Sequence, residues 1–221
     1  MITSMVASTG LYSSLYNITY TILSCVFYSW LDNDLKKRCG TFGPRAMSTF
    51  HAIVVSILSI LHIYNSFAAI YFSILIRWIS TGYFVIDLFN VTADLKRRIS
   101  VFNVMIFIHH FISILWIRNF PLHLAYMTAH GMLTEMSTPF VNICWYLKKS
   151  SCDDLYKSRL DYKVSGFIAW ILFLSLRIIN YSVVLWNFIP QVGWITILGS
   201  LTVWTFNILW FPKVTKTMLF P

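Results

Sequence analysis

The sequence predicts an all-α integral membrane protein with seven transmembrane helices. Three observations carry that expectation. The 221 residues are 57% hydrophobic and only 11% charged, with a mean hydropathy of +0.68, whereas a soluble domain carries about 25% charged residues. Seven apolar stretches follow one another, each near the roughly 20 residues a helix needs to cross the hydrocarbon core. Finally, 14 of the 17 Lys and Arg fall where seven spans put one face of the membrane. That asymmetry marks the cytosolic side. The net charge of +9 therefore points to loop orientation and not to nucleic-acid binding.

The first ten residues are uncharged. A cleavable signal peptide wants a basic start, so the apolar stretch 11–31, followed by Lys36, Lys37 and Arg38, reads as an uncleaved anchor. The second span is expected at 47–72, the third at 74–91 and the fourth at 101–119. The fifth covers 121–147, and Pro139 inside it should kink or break the helix. The sixth runs over 164–188 and the seventh over 192–211, with Pro190 and Gly193 marking the turn between them. The basic clusters are Lys36 to Arg45, Lys96 to Arg98, Lys148 to Lys163, and Lys213 with Lys216. They put the C-terminus in the cytosol and the N-terminus in the lumen or outside the cell. Seven of the nine tryptophans lie near span ends, as an aromatic belt would. Cys25, Cys39, Cys144 and Cys152 have neither CxxC nor metal-ligand spacing, so no disulfide and no metal site is expected. Asn17, Asn90 and Asn180 head N-x-S/T sequons in or against apolar spans, where glycosylation is not expected.

The fourth span, VFNVMIFIHHFISILWIRN, carries His109 and His110 near its middle. Adjacent helical residues point about 100° apart, so at least one ring must face protein and not lipid. Ionisable groups inside a membrane are costly and usually functional. Asp87 and Glu135 are the only two of the eight acidic residues inside spans, and His51, His130 and Arg177 join them. At 1.5 Å per residue, His51 and Asp87 lie within roughly 10 Å of the cytosolic end. His109 is roughly 12 Å in, and Glu135 and Arg177 roughly 18 Å in. The result is a polar column that has to line a bundle interior or a wet cavity. His109 and His110 are the candidate catalytic pair. His51, Asp87, Glu135, Asn142, Arg177 and Asn207 are candidate lining residues that would contact a substrate. Each has a plainer alternative. Asp87 and Glu135 can pair with a histidine or Arg177 to hold helices together. His51 can be a solvated end residue, and Asn142 and Asn207 can be interhelical hydrogen-bond glue. His62 and His123 read as structural.

Six stretches carry a resemblance: PRAMSTFHAIVVS (44–56), TGYFVIDLF (81–89), MIFIHHFIS (105–113), LTEMSTPFVNICWYL (133–147), LRII (176–179) and FNILWFPK (206–213). In that order they resemble the TLC-domain family, and within it the small TLC-domain-containing proteins. The resemblance implies a TLC domain over 47–212, between an N-terminal anchor and loop (1–46) and a short cytosolic tail (213–221). It implies that the last six spans form a bundle around a cavity open to the cytosol. It also implies an endoplasmic reticulum or related membrane and a role in lipid homeostasis. Ceramide synthases share this domain and a comparable histidine pair, which His109 and His110 match. They also carry an H-D-x-x-D pattern upstream of the glutamate that Glu135 resembles. Here that region reads MTAHGMLTE (127–135), without an aspartate. The acyl-CoA-selecting loop of those enzymes has no counterpart either.

Three function classes follow. The first is a lipid-homeostasis protein that binds or processes a lipid or acyl chain in the cavity, with membrane lipids as partners. The second is an acyltransferase using acyl-CoA as co-substrate, in which a histidine takes a proton or the acyl group and a carboxylate orients the ring. The third is a seven-helix receptor, transporter or bis-histidine haem protein. The polarity opening to the cytosol disfavours an extracellular ligand. No resident cofactor is expected for the first two.

Overall fold

The computed structural model describes residues 42–65, 68–97, 99–119, 124–151 and 153–219. The expected first span lies outside them. Among the described residues there is no strand, and the helices form six segments. They are α1 (Phe42–Tyr64), α2 (Ala69–Arg97) and α3 (Val101–Asn119), then α4 (Ala125–Met132) with α5 (Thr138–Ser150), α6 (Leu160–Leu172) with α7 (Tyr181–Phe188), and α8 (Trp194–Leu219). A 3-10 turn, Leu133–Ser137, joins α4 to α5, and a π-helical stretch, Phe173–Asn180, joins α6 to α7.

Four of these segments are long and apolar enough to cross a membrane: Pro44–Tyr64, Ala69–Ala93, Leu160–Gln191 and Trp194–Leu219. Asn103–Arg118 is a shorter apolar helix, and the α4–α5 segment is interrupted. The expected seven spans thus become six described segments, four of full membrane length.

Exposure is inverted relative to a soluble protein. On α3, Val104, Ile108, Phe111 and Leu115 form an exposed stripe at helical spacing, while His110, Ser113 and Ile117 are buried. On α1 the buried face carries His51, Ser56, Ser59 and His62, and Ile53, Ile57 and Leu61 are exposed. Water would drive these faces the other way. A hydrocarbon solvent favours apolar side chains outside and polar ones against protein. The chain is a membrane protein.

The segments close a ring. α1 packs on α2, α2 on α3, α3 on α8, α8 on α6, α6 on α5, and the α4–α5 segment returns to α1. The short connections reverse the chain each time, so every neighbouring pair in this ring is antiparallel. The start of α1, the end of α2, the start of α3 and the ends of α5 and α8 therefore share one end of the bundle. In a cysteine-free background, cysteines at Lys96 and Lys157 should be labelled by an impermeant thiol reagent from the same side. One at exposed Gly193, where an added Cβ meets nothing within 4 Å, should be labelled from the other. Labelling of 96 and 157 from opposite sides would break the ring.

Three boundaries differ from expectation, each for a local reason. α1 ends at Tyr64 and α2 begins at Ala69, so the break comes before the one expected near 73. There the Asn65 side chain accepts from the Ala68 N–H (3.3 Å), and His62 Nδ1 lies 2.6 Å from the Ala69 carbonyl oxygen. The following AIYF run is apolar, so hydropathy reads straight through the break. The sixth span starts earlier, at Leu160. The last helix does not stop before Pro212 but runs to Leu219. Its final turns dock on α6, where the Tyr162 hydroxyl donates to the Thr217 carbonyl (3.1 Å) and Trp170 Nε1 to Thr215 Oγ1 (3.1 Å). Gly166 makes the approach feasible, since a Cβ there would sit 2.9 Å from the Met218 carbonyl oxygen. Gly166→Val should push the helices apart at a cost of roughly 1–3 kcal/mol. Thermal unfolding in detergent reads this, with Gly166→Ala expected to fall between valine and wild type.

Candidate functional site

Pro139 organises the site from the sequence upward. A proline has no N–H to give the carbonyl four residues back, and that carbonyl belongs to Glu135. The Thr138 N–H takes it instead, closing the 3-10 turn, with Pro139 in the first turn of α5. The kink expected at Pro139 is thus a tight turn just before it, and Glu135 sits inside that turn. Opposite lies Arg177, in the π-helical stretch. Such insertions shift helical register and are frequent at functional sites.

The two side chains meet. Arg177 Nη2 lies 3.5 Å from Glu135 Oε1, its Nε donates to Ser137 Oγ (2.9 Å), and Nη2 contacts Thr138 Oγ1 (2.8 Å). Thr138 in turn donates to Glu135 Oε2 (2.9 Å). A second contact forms between α2 and α3, where His110 Nδ1 lies 3.2 Å from Asp87 Oδ2 without making a hydrogen bond to it. His109 has a different environment. Its ring stands edge-on to Trp210 (5.6 Å between centroids) and Phe84 (6.4 Å). Its buried Nδ1 has no hydrogen-bond partner among the described residues.

One pocket of ≈ 430 Å³ gathers these groups. Asp87, His109, His110, Glu135, Asn142 and Arg177 all line it, from α2, α3, the 3-10 turn, α5 and the π-helical stretch. A recess of ≈ 40 Å³ continues past Phe84, His109 and Glu135 toward Ser113 and Tyr181. Arrangement and composition suit an amphiphile: imidazoles, carboxylates and guanidinium at one end of a helical ring, aromatic rings among them.

Two of the expected lining residues do not lie on this pocket's wall. His51 is fully buried and off the pocket wall. Its ring stacks on Tyr83 (4.0 Å, 12°), and its Nε2 lies 3.3 Å from Ser80 Oγ, so it is not a solvated end residue either. Asn207 is 1% exposed and does not line the pocket. Full desolvation of both follows from their place between packed helices. Asn142 lines the pocket and also joins helices, donating to Thr49 Oγ1 (2.9 Å) and accepting from Arg45 Nη1 (3.0 Å). His130 faces Tyr126, and its backbone oxygen accepts from Asn180 Nδ2 (2.9 Å).

The pocket also contains Arg45, Tyr83, Phe84 and Trp210, which the sequence reading did not select. Tyr83 and Phe84 precede Asp87 by four and three residues, the spacing that puts them on its face. Arg45 falls in a basic cluster and Trp210 near a span end, so the sequence alone reads them as a loop charge and a belt aromatic. Arg45 stacks over Trp145 (4.4 Å). Among the described residues no three His, Cys, Asp or Glu side chains converge as a metal site.

A family model described as the TLC domain matches residues 41–216. No curated protein and no solved structure matches the chain.

Proposed function

The chain belongs to the TLC-domain family, and on that premise we propose that it serves lipid homeostasis by binding or processing a lipid or acyl chain in the histidine pocket. The observation that carries this reading is the convergence of both histidines, both membrane-embedded carboxylates and Arg177 on one pocket wall. Charged groups in a membrane protein need such a shared interior, and their chemistry suits a lipid headgroup. The basic clusters support a pocket that opens to the cytosol, with the C-terminus on that side and the N-terminus in the lumen. An endoplasmic reticulum or related endomembrane fits this arrangement. In cells lacking the protein, wild type should restore the lipid profile. A His109→Asn/His110→Asn double variant, located and folded as wild type, should not. Full restoration by that variant would remove the histidines from the function.

One observation favours a second reading, acyl transfer from acyl-CoA to an amine. Asp87 Oδ2 lies 3.2 Å from Nδ1 of His110, close enough for its charge to stabilise the imidazolium that forms when the ring acts as a base. The amine nitrogen bonds to the acyl carbon and passes a proton to His110. The thioester C–S bond breaks, and the thiolate leaves with that proton as the CoA thiol.

A further inference from the structure

A second pocket, ≈ 590 Å³, lies between α5, α6 and α8 beside the histidine pocket, and Arg45, Thr138, Arg177 and Trp210 line both. Its volume falls in the roughly 300–1,000 Å³ range of small-molecule sites. Its walls are apolar, with Val141, Phe173, Val214 and Met218 among them. Lys148, Lys149 and Lys213, all exposed, join the lining where α5 and α8 reach the basic end of the bundle. Among the described residues no Asp or Glu lines this pocket. The histidine pocket, by contrast, holds Asp87 and Glu135. Arg177 is matched by Glu135, whereas Arg45 is held by neutral Asn142 and by Trp145.

We propose that the second pocket binds an amphiphile with a phosphate-bearing headgroup. Its acyl chain lies along Val141, Phe173 and Met218, and its phosphate sits at Lys148, Lys149 and Lys213. Three compact ammonium groups suit a phosphate, which carries more charge than a single carboxylate. Lysines beside the membrane attract anionic headgroups in this way. The two pockets meet at Arg45 and Arg177, so a chain bound here ends next to the histidines. The site stands on its own lining and does not depend on what the histidines do.

The test uses the full chain in nanodiscs of neutral lipid. The probes are photoactivatable phosphatidic acid and phosphatidylcholine carrying the same diazirine acyl chain. The phosphatidic acid probe should label residues within 141–149 and 213–218 in preference to the choline probe. Lys148→Gln/Lys149→Gln/Lys213→Gln should lower that labelling by roughly tenfold or more. Val141→Trp, which fills the pocket and keeps the lysines, should lower it as well, and it carries the test if the triple variant does not fold. The label is read at 141–149 and 213–218, away from the histidine helix, so this site and the histidine reading fail separately. Competition by lysophosphatidic acid or by a long-chain acyl-CoA supports the proposal and tells a membrane lipid from a soluble donor. Equal labelling by the two probes, labelling unchanged in both pocket variants, or displacement by inorganic phosphate alone would overturn it.

Discussion

Glu135→Ala should leave little folded protein to purify. The substitution removes the carboxylate opposite Arg177, whose side chain is only 10% exposed, and the acceptor of the Thr138 hydroxyl. Ser137 and Thr138 still solvate the guanidinium, but neither carries a countercharge. Breaking a buried pair from one side costs roughly 3–5 kcal/mol, far more than the pair's net worth. That is a large share of the stability of an ordinary domain. Glu135→Ala/Arg177→Met removes both charges and fills the space, so most of the loss should return. Monodisperse yield and thermal unfolding in detergent give the double-mutant cycle. If Glu135→Ala alone matches wild type, or the two changes simply add, the pair is not what holds the 3-10 turn against the π-helical stretch.

The parts legible in the sequence are those where one residue type had one physical outlet. The histidine helix is expected at 101–119 and found as Val101–Asn119. Ser100 accepts from the Asn103 N–H at its start (3.1 Å), and no turn-former interrupts it. Pro139 announced its turn because a missing N–H has local consequences. The convergence of Asp87, Glu135 and Arg177 was legible as cost: an ion in hydrocarbon must find protein or water.

Other features were hidden for equally physical reasons. The break between Tyr64 and Ala69 is marked by single side-chain contacts of Asn65 and His62 inside an apolar run. The π-helical stretch adds a residue to the turn without changing composition, so no period shows it. His51 and Asn207 have the chemistry of lining residues, and only their packing puts them off the wall. Arg45 and Trp210 have the composition of interface anchors, yet the ring of helices turns them inward. A helix end can be placed from charge, but which way its last residues face depends on its neighbours.

Asp87→Asn separates binding from chemistry. The two side chains have nearly the same shape, so the fold and the pocket should survive. Asp87 contacts Nδ1 of His110 at 3.2 Å. Nδ1 makes no hydrogen bond to it, so the carboxylate acts through its charge, stabilising the imidazolium that forms when the ring takes a proton. An asparagine amide keeps the size and loses the charge, so the imidazolium is left without its counterion. Where a carboxylate fixes a catalytic imidazole, this exchange costs on the order of 10²–10⁴ in rate. If the protein transfers acyl groups, Asp87→Asn should therefore fail to restore the lipid profile of cells lacking it, although folded protein is present. His110→Asn should fail equally. His109→Asn should fail less, because no carboxylate is seen against its ring. If the protein only holds a lipid, Asp87→Asn keeps a polar group of the same size in place and should restore most of the profile. Lipidomics of the three variants at matched expression decides between them. Full restoration by Asp87→Asn removes acyl transfer and leaves lipid binding as the function of this pocket.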